Sequence, residues 1–151
     1  MRKISKDGLE LLKYFEGLSL VPYLCPAGIP TIGYGNTYYE NNQKVKMTDP
    51  LITKERAEEL LENIANQDFA SFVNRYVNVE LNQNQFDALV SFTYNLGPVN
   101  FRNSTLLKKI NLKDFDGASN EFPKWTRTGG KVLRGLVTRR NKERDLFLKA
   151  E

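Results

Sequence analysis

Histidine is absent from this 151-residue chain, and cysteine occurs once, as Cys25. Without imidazoles and with a single thiol, zinc and most transition-metal sites lose their usual ligands, so neither a metal nor another cofactor is expected. An intrachain disulfide is excluded, and a lone thiol suits a reducing compartment. Long apolar runs are missing too. The N-terminus, MRKISKDGLELLKYFEG, is broken by charge every few positions, so it lacks the apolar stretch of about 7–15 residues found in a secretion signal. No segment approaches the roughly 18 apolar residues that a membrane-spanning helix needs. The expectation is a protein held in the cytoplasm of the cell that makes it, dependent on another agent to reach anything outside.

What is present is enough for one core. The chain is 40% hydrophobic and 26% charged, with nine Phe and seven Tyr, as expected for a monomeric single domain. Its net charge of +4 is unevenly spread: residues 1–100 carry 9 basic and 12 acidic side chains, residues 101–151 carry 13 and 6. A basic C-terminal third points to an anionic partner, whether nucleic acid, membrane surface or cell-wall polymer. The chain holds no nucleic-acid-binding motif, which weighs against the first.

Spacing predicts the elements. Ser5 caps a helix carrying Leu9, Leu12 and Phe15, which runs to Glu16 and stops at Gly17. Residues 18–50 are punctuated by Pro22, Pro26, Gly28, Pro30, Gly33 and Gly35 around Thr31-Ile32-Gly33-Tyr34, which reads as short strands joined by turns. Thr53 caps an apolar stripe from Ala57 to Tyr76, a rod over residues 53–79 linking two lobes. Asn82 and Gln85 form a capping box for a helix ending at Gly97-Pro98. Short helices are predicted near 104–111 and 114–121, and a basic amphipathic helix over 136–149. The fold class is α+β, mostly helical: a small β-containing lobe over about 15–55 and a helical lobe over about 80–151 that also takes residues 5–16.

A carboxylate at the end of an apolar helix has its charged form disfavoured by desolvation, which suits a general acid. Glu16 stands there, ahead of a glycine-rich hairpin whose backbone can approach a ligand closely. Taken alone, a Glu before Gly is more often a solvated helix end.

The context is more specific. Glu16-Gly17, Tyr23-Leu24-Cys25, Gly28-Ile29-Pro30-Thr31-Ile32-Gly33-Tyr34-Gly35-Asn36-Thr37, Gln85 through Gly97, and Trp125 … Gly129-Gly130 … Arg139-Arg140 … Glu143 … Leu146-Phe147 occur in order. This pattern resembles the glycoside hydrolase family 24 lysozymes, the muramidases typical of phage endolysins, over nearly the whole chain. The resemblance implies cleavage of the β-1,4 bond between N-acetylmuramic acid and N-acetylglucosamine, and host-cell lysis once a holin-type lesion opens the membrane. It implies Glu16 as general acid and Thr31, fifteen residues on, as the residue that positions water. Nine residues after Glu16 the family has an Asp, and here stands Cys25; the usual His is Asn36. Tyr34, Asn36 and Arg139 are expected to bind substrate or support the site, with Arg139 reaching Glu16 from the C-terminal lobe. An adjacent arginine would lower a carboxyl pKa where burial would raise it.

A free thiol, with a pKa of about 8.5, is only partly ionised at neutral pH, and Glu16 nearby would raise that further. Tyr23, Tyr34, Tyr94 and Trp125 are aromatics able to stack on sugars, with Trp125 expected in the core instead. Loss of the Asp keeps two rivals open: a lytic transglycosylase, which closes an anhydro ring without water, and a wall-binding protein without activity. The basic terminal helix is also expected to touch the anionic outer-membrane surface.

Overall fold

In the computed structural model, which describes residues 1–151, Ser5 opens the first helix. Its hydroxyl accepts from the Gly8 N–H, and α1 (Lys6–Glu16) ends where Gly17 takes a φ of 69° and returns its N–H to Lys13. α1 lies against the C-terminal elements, and Gly8 allows the approach, because a Cβ there would stand 2.6 Å from Ile4 and 2.8 Å from Asp87. The buried Asp87 carboxylate accepts from the Ser5 N–H at 3.0 Å, from the Ser5 hydroxyl, and from Gln83 Nε2 at 2.8 Å.

β1 (Ser19–Leu24) pairs antiparallel with β2 (Pro30–Gly33), Tyr23 opposite Thr31 and Leu24 opposite Pro30, with an irregularity between Ser19 and Tyr23. The turn between them is closed by the Gly28 N–H to the Cys25 carbonyl at 2.8 Å and the Cys25 N–H to the Ile29 carbonyl at 3.1 Å. Pro26 comes directly after Cys25, and Gly28 has a φ of 77°, the residue types such a turn calls for. The chain then loops to residue 53, held by side chains more than by pairing. Arg56 grips Glu40 with two bonds of 2.7 Å, and Asn63 adds a third at 3.0 Å. The guanidinium holds the Glu40 carboxyl down at about 2. A depressed carboxyl stabilises the fold above its unfolded pKa and loses that contribution as pH falls through the folded value. The pair is partly solvated, so about 1–2 kcal/mol is expected to vanish between pH 4.5 and 2. Urea titrations at stepped pH should show this loss in the parent and a flatter profile in Glu40→Gln. Identical profiles would exclude the pair as a source of acid lability.

α2 (Lys54–Ile64) and α3 (Ser71–Tyr76) form one rod, but the uniform helix predicted over 53–79 is interrupted. Residues Ala65–Ala70 make a π-helical turn in which the Ser71 N–H reaches back five residues to Asn66. The rod serves two cores: Leu60 and Ile64 pack with Ile32 and Val45 beneath the hairpin, while Ala57, Leu61, Ala65, Ala70 and Val73 enter the main core. A π turn inserts an extra residue and re-aims the side chains beyond it. Here Phe69 lies against Tyr94, ring centroids 4.9 Å apart, and Asp68 meets the Tyr38 hydroxyl at 2.6 Å.

α4 (Gln83–Leu96) starts from the expected capping box of Asn82 and Gln85. Pro98 then opens α5 (Pro98–Arg102), which punctuation alone had concealed because Pro at a first helical position starts a helix as readily as it succeeds one. α6 (Thr105–Asn111) is capped by Ser104. α7 is shorter than predicted, Phe115–Ser119, because the chain tightens into a 3₁₀ turn at Phe122–Lys124. A small hairpin, β3 (Arg127–Thr128) and β4 (Lys131–Val132), turns at Gly129-Gly130 and leads into α8 (Arg134–Leu148). Phe92 sits edge-on to Phe101, Phe122 and Trp125, centroids 5.6 to 6.3 Å apart, so Trp125 packs against the core. α8 is less of a free basic face than its sequence implies: Arg139, Arg140 and Glu143 are all buried. No helix is long and apolar enough to cross a membrane.

Candidate active site

Glu16 is the last residue of α1, and its carboxylate is fixed on one side only. Oε2 accepts from Arg139 Nη1 at 2.7 Å. Oε1 has no protein donor and lies over Gly35, where an added Cβ would approach it to 2.7 Å. Gly35 also has a φ of 76°, so a side chain there would be strained as well as in the way. One oxygen is therefore anchored and the other stays available.

The anchor is itself locked. Arg139 Nε bonds Glu143 Oε2 at 3.2 Å, and its Nη2 reaches the Ser91 carbonyl at 3.3 Å. The Ser91 hydroxyl donates to the same Glu143 oxygen at 2.6 Å. Phe15 lies 5.3 Å beneath the Arg139 guanidinium. Arg140 approaches Glu143 Oε1 to 3.1 Å without hydrogen-bond alignment; its Nη2 donates to Asn95, and its guanidinium lies 5.3 Å from the Phe92 ring. Burial pushes the Glu143 carboxyl up, against the pull of the two guanidiniums and Ser91. Ser91 and Glu143 do not stand out as site residues from sequence. Glu143 and Arg139 share a helix face at a spacing of four, and that is the available signal.

Cys25 and Thr31 come together on the hairpin, Cys25 at the start of the turn and Thr31 on the returning strand. Thr31 is 2% exposed, and its hydroxyl donates to the Ile29 carbonyl at 2.8 Å. The Cys25 thiol departs from expectation: the Ile29 backbone foremost, then that of Ala27 and the Thr31 hydroxyl, lower it from its ordinary value. The turn's own polar groups favour the thiolate, the reverse of the rise expected from a neighbouring carboxylate.

Tyr34 is 4% exposed and part of the main core, so its ring is not a stacking platform; its carbonyl accepts from the Tyr94 hydroxyl at 3.2 Å. Asn36 is buried and donates through Nδ2 to Tyr94 at 3.2 Å, while its Oδ1 has no partner. Burial raises the Tyr94 hydroxyl above its ordinary range, and the Glu16 charge adds to this, which places Tyr94 within the field of that carboxylate. Tyr94 thereby joins the hairpin to α4. No group of three or more Cys, Asp or Glu side chains is arranged to hold a metal ion.

Residues 13–143 match the phage lysozyme family. The chain is 45% identical over 149 residues to an endolysin of Acyrthosiphon pisum secondary endosymbiont phage 1, covering 95% of this chain and 97% of that one. It is 43% identical to an endolysin of Bacillus phage B103 over 98% of its own length, but spans only 55% of that larger relative. An endolysin from Escherichia coli O157:H7 phage FAHEc1 superposes with a TM-score of 0.89 at 39% identity, over 97% of this chain and 94% of that structure. By family match, sequence identity and fold together, the chain belongs to the phage lysozyme family.

Proposed function

We propose that this chain is a muramidase that hydrolyses the β-1,4 bond between N-acetylmuramic acid and N-acetylglucosamine in bacterial peptidoglycan, acting as an endolysin. The observation that carries this reading is Glu16, with Oε2 bound to Arg139 and Oε1 left without a protein partner. Glu16 gives its proton to the glycosidic oxygen as the C–O bond breaks, and positive charge develops on the sugar ring. Water adds to that carbon. Thr31, whose hydroxyl stands beside both the Ile29 carbonyl and the Cys25 thiol, holds that water. Cys25 takes the place of the second carboxylate, its thiolate accepting the proton that the water loses. A separate membrane lesion delivers the protein to the wall.

Mass spectrometry of muropeptides released from purified peptidoglycan tests this, with Glu16→Gln as control. Reducing ends that disappear in the control are expected. Anhydro ends would mean a transglycosylase, and no fragments at all would leave a binding protein. Cys25 has its own test. Cys25→Asp is expected to keep activity, and Cys25→Ser to lose about tenfold or more, since a hydroxyl in place of the thiol does not ionise near neutral pH. Because the thiolate is the working form, parent activity should fall as pH drops through the depressed thiol pKa, whereas Cys25→Asp should hold its rate further into acid. A Ser variant as active as the parent would remove the thiolate from the mechanism.

A further inference from the structure

Gly35 is the floor beneath the free oxygen of Glu16, and the loop that carries it is short. Ile32 and Asn36 exchange two backbone bonds of 2.9 Å, which leaves Gly33-Tyr34-Gly35 as the excursion between them. Both glycines are left-handed, with φ of 66° and 76°; the same freedom that admits this conformation makes the loop pliable. The Glu16 side chain lies along the second of them. A Cβ on Gly35 would stand 2.7 Å from Oε1, 3.5 Å from Cδ and 3.7 Å from Cβ of Glu16. A tilt of the loop here therefore presses on Oε1 or opens a gap beneath it.

One hydroxyl holds the loop on both sides of Gly35. Tyr94 Oη donates to the Tyr34 carbonyl and accepts from Asn36 Nδ2, each at 3.2 Å. The first bond grips the peptide unit that ends at the Gly35 α-carbon, and because that unit is planar its orientation is set as a whole. The Tyr94 ring is backed in turn by Phe69 of the π turn, centroids 4.9 Å apart. Asn36 Oδ1 is buried without a partner, 3.6 Å from where a Gly33 Cβ would stand. A stranded acceptor is destabilising, so stability alone would favour an apolar side chain at 36.

We propose that Tyr94, assisted by Asn36, is a positioning residue for the general acid: it fixes Gly35 under Oε1 as Arg139 fixes Oε2. The inference rests on the muramidase reading above. α4 then governs both oxygens of the carboxylate from one turn. Ser91, three residues before Tyr94, holds Arg139 through its carbonyl at 3.3 Å, and Tyr94 holds the floor. With one oxygen bonded and the other confined, the carboxyl plane and the direction of its proton are set before substrate arrives. Tyr94 acts through Gly35 and not on the sugar.

Tyr94→Phe keeps the ring against Phe69 and removes the hydroxyl. It is expected to lower kcat for reducing-end release about ten- to 100-fold, as a misplacement of about 1 Å does, with KM within about twofold of the parent. Asn36→Leu removes one of the two bonds and should lower kcat about fivefold. It should melt no lower than the parent, since the stranded oxygen goes with the amide. NMR relaxation gives a readout that does not depend on activity. The Gly35 backbone order parameter should fall from about 0.85 in the parent toward about 0.6 in Tyr94→Phe. A Phe variant with the parent's kcat, or with Gly35 as ordered as in the parent, would overturn the proposal and leave the muramidase reading in place. An Asn36→Leu variant that loses stability and activity together would also overturn it, because packing would then explain both. A parent that releases no reducing ends, with Gly35 loosened in Tyr94→Phe, would instead remove the muramidase reading and keep the clamp on Gly35.

Discussion

Glu16→Gln is expected to lower turnover of peptidoglycan by about 100- to 10,000-fold, the contribution of one positioned general acid. The amide keeps the shape of the side chain and an oxygen for Arg139 Nη1, now 2.7 Å from Glu16 Oε2. It has no proton to give. Stability should change little, because Arg139 keeps its bonds to Glu143 and Ser91 when the carboxyl at 16 becomes an amide. Reducing-end release and a thermal melt, measured on the same preparation, separate the two effects. A Gln variant retaining a tenth or more of the parent rate would mean that the proton comes from another group.

The second large effect falls on stability. Glu143 is fully buried and faces two guanidiniums, Arg139 through Oε2 and Arg140 beside Oε1. Removing one member of a buried ion pair strands the other charges and typically costs about 3–5 kcal/mol. Glu143→Ala is therefore expected to lower the melting temperature by roughly 10 °C, at the few degrees per kcal/mol usual for a domain of this size. Activity should fall as well, since Arg139 would lose the partner that aims it at Glu16. Pairing the change with Arg140→Leu removes one stranded cation, and the double variant should be more stable than Glu143→Ala alone. A single variant that melts with the parent would show that the arginines find water or other partners, and that the network is not what holds α8 on α4.

Many local features were legible because they depend on neighbours in the chain. Ser5, Thr53 and Asn82 cap the helices that begin just after them. Gly17 and Gly97 end α1 and α4 with positive φ, and Pro26 and Gly28 close the hairpin turn. The motif spacing that resembles the family pointed to Glu16, Cys25, Thr31 and Arg139, and of these the fold pairs Glu16 with Arg139 and gathers Cys25 with Thr31. Other features were not legible. The π turn at 65–70 arises because one rod must serve two cores, and periodicity in a single segment carries no trace of the second core. Tyr34 reads as a sugar-stacking aromatic until the packing of the main core buries it.

By itself, then, the sequence determined the starts of the capped helices α1, α2 and α4, the ends of α1 and α4, and which residue types stand at the spacing that chemistry requires, since caps, glycines and periodicity act over a few residues. Tertiary structure alone decided the electrostatics. Whether the Cys25 thiol is raised or lowered depends on the backbone groups that the folded turn presents to it. Whether the arginines of α8 serve solvent or Glu16 and Glu143 depends on burial between helices distant in the chain. Charge interactions depend on distance and dielectric, and both are set only when the chain has folded.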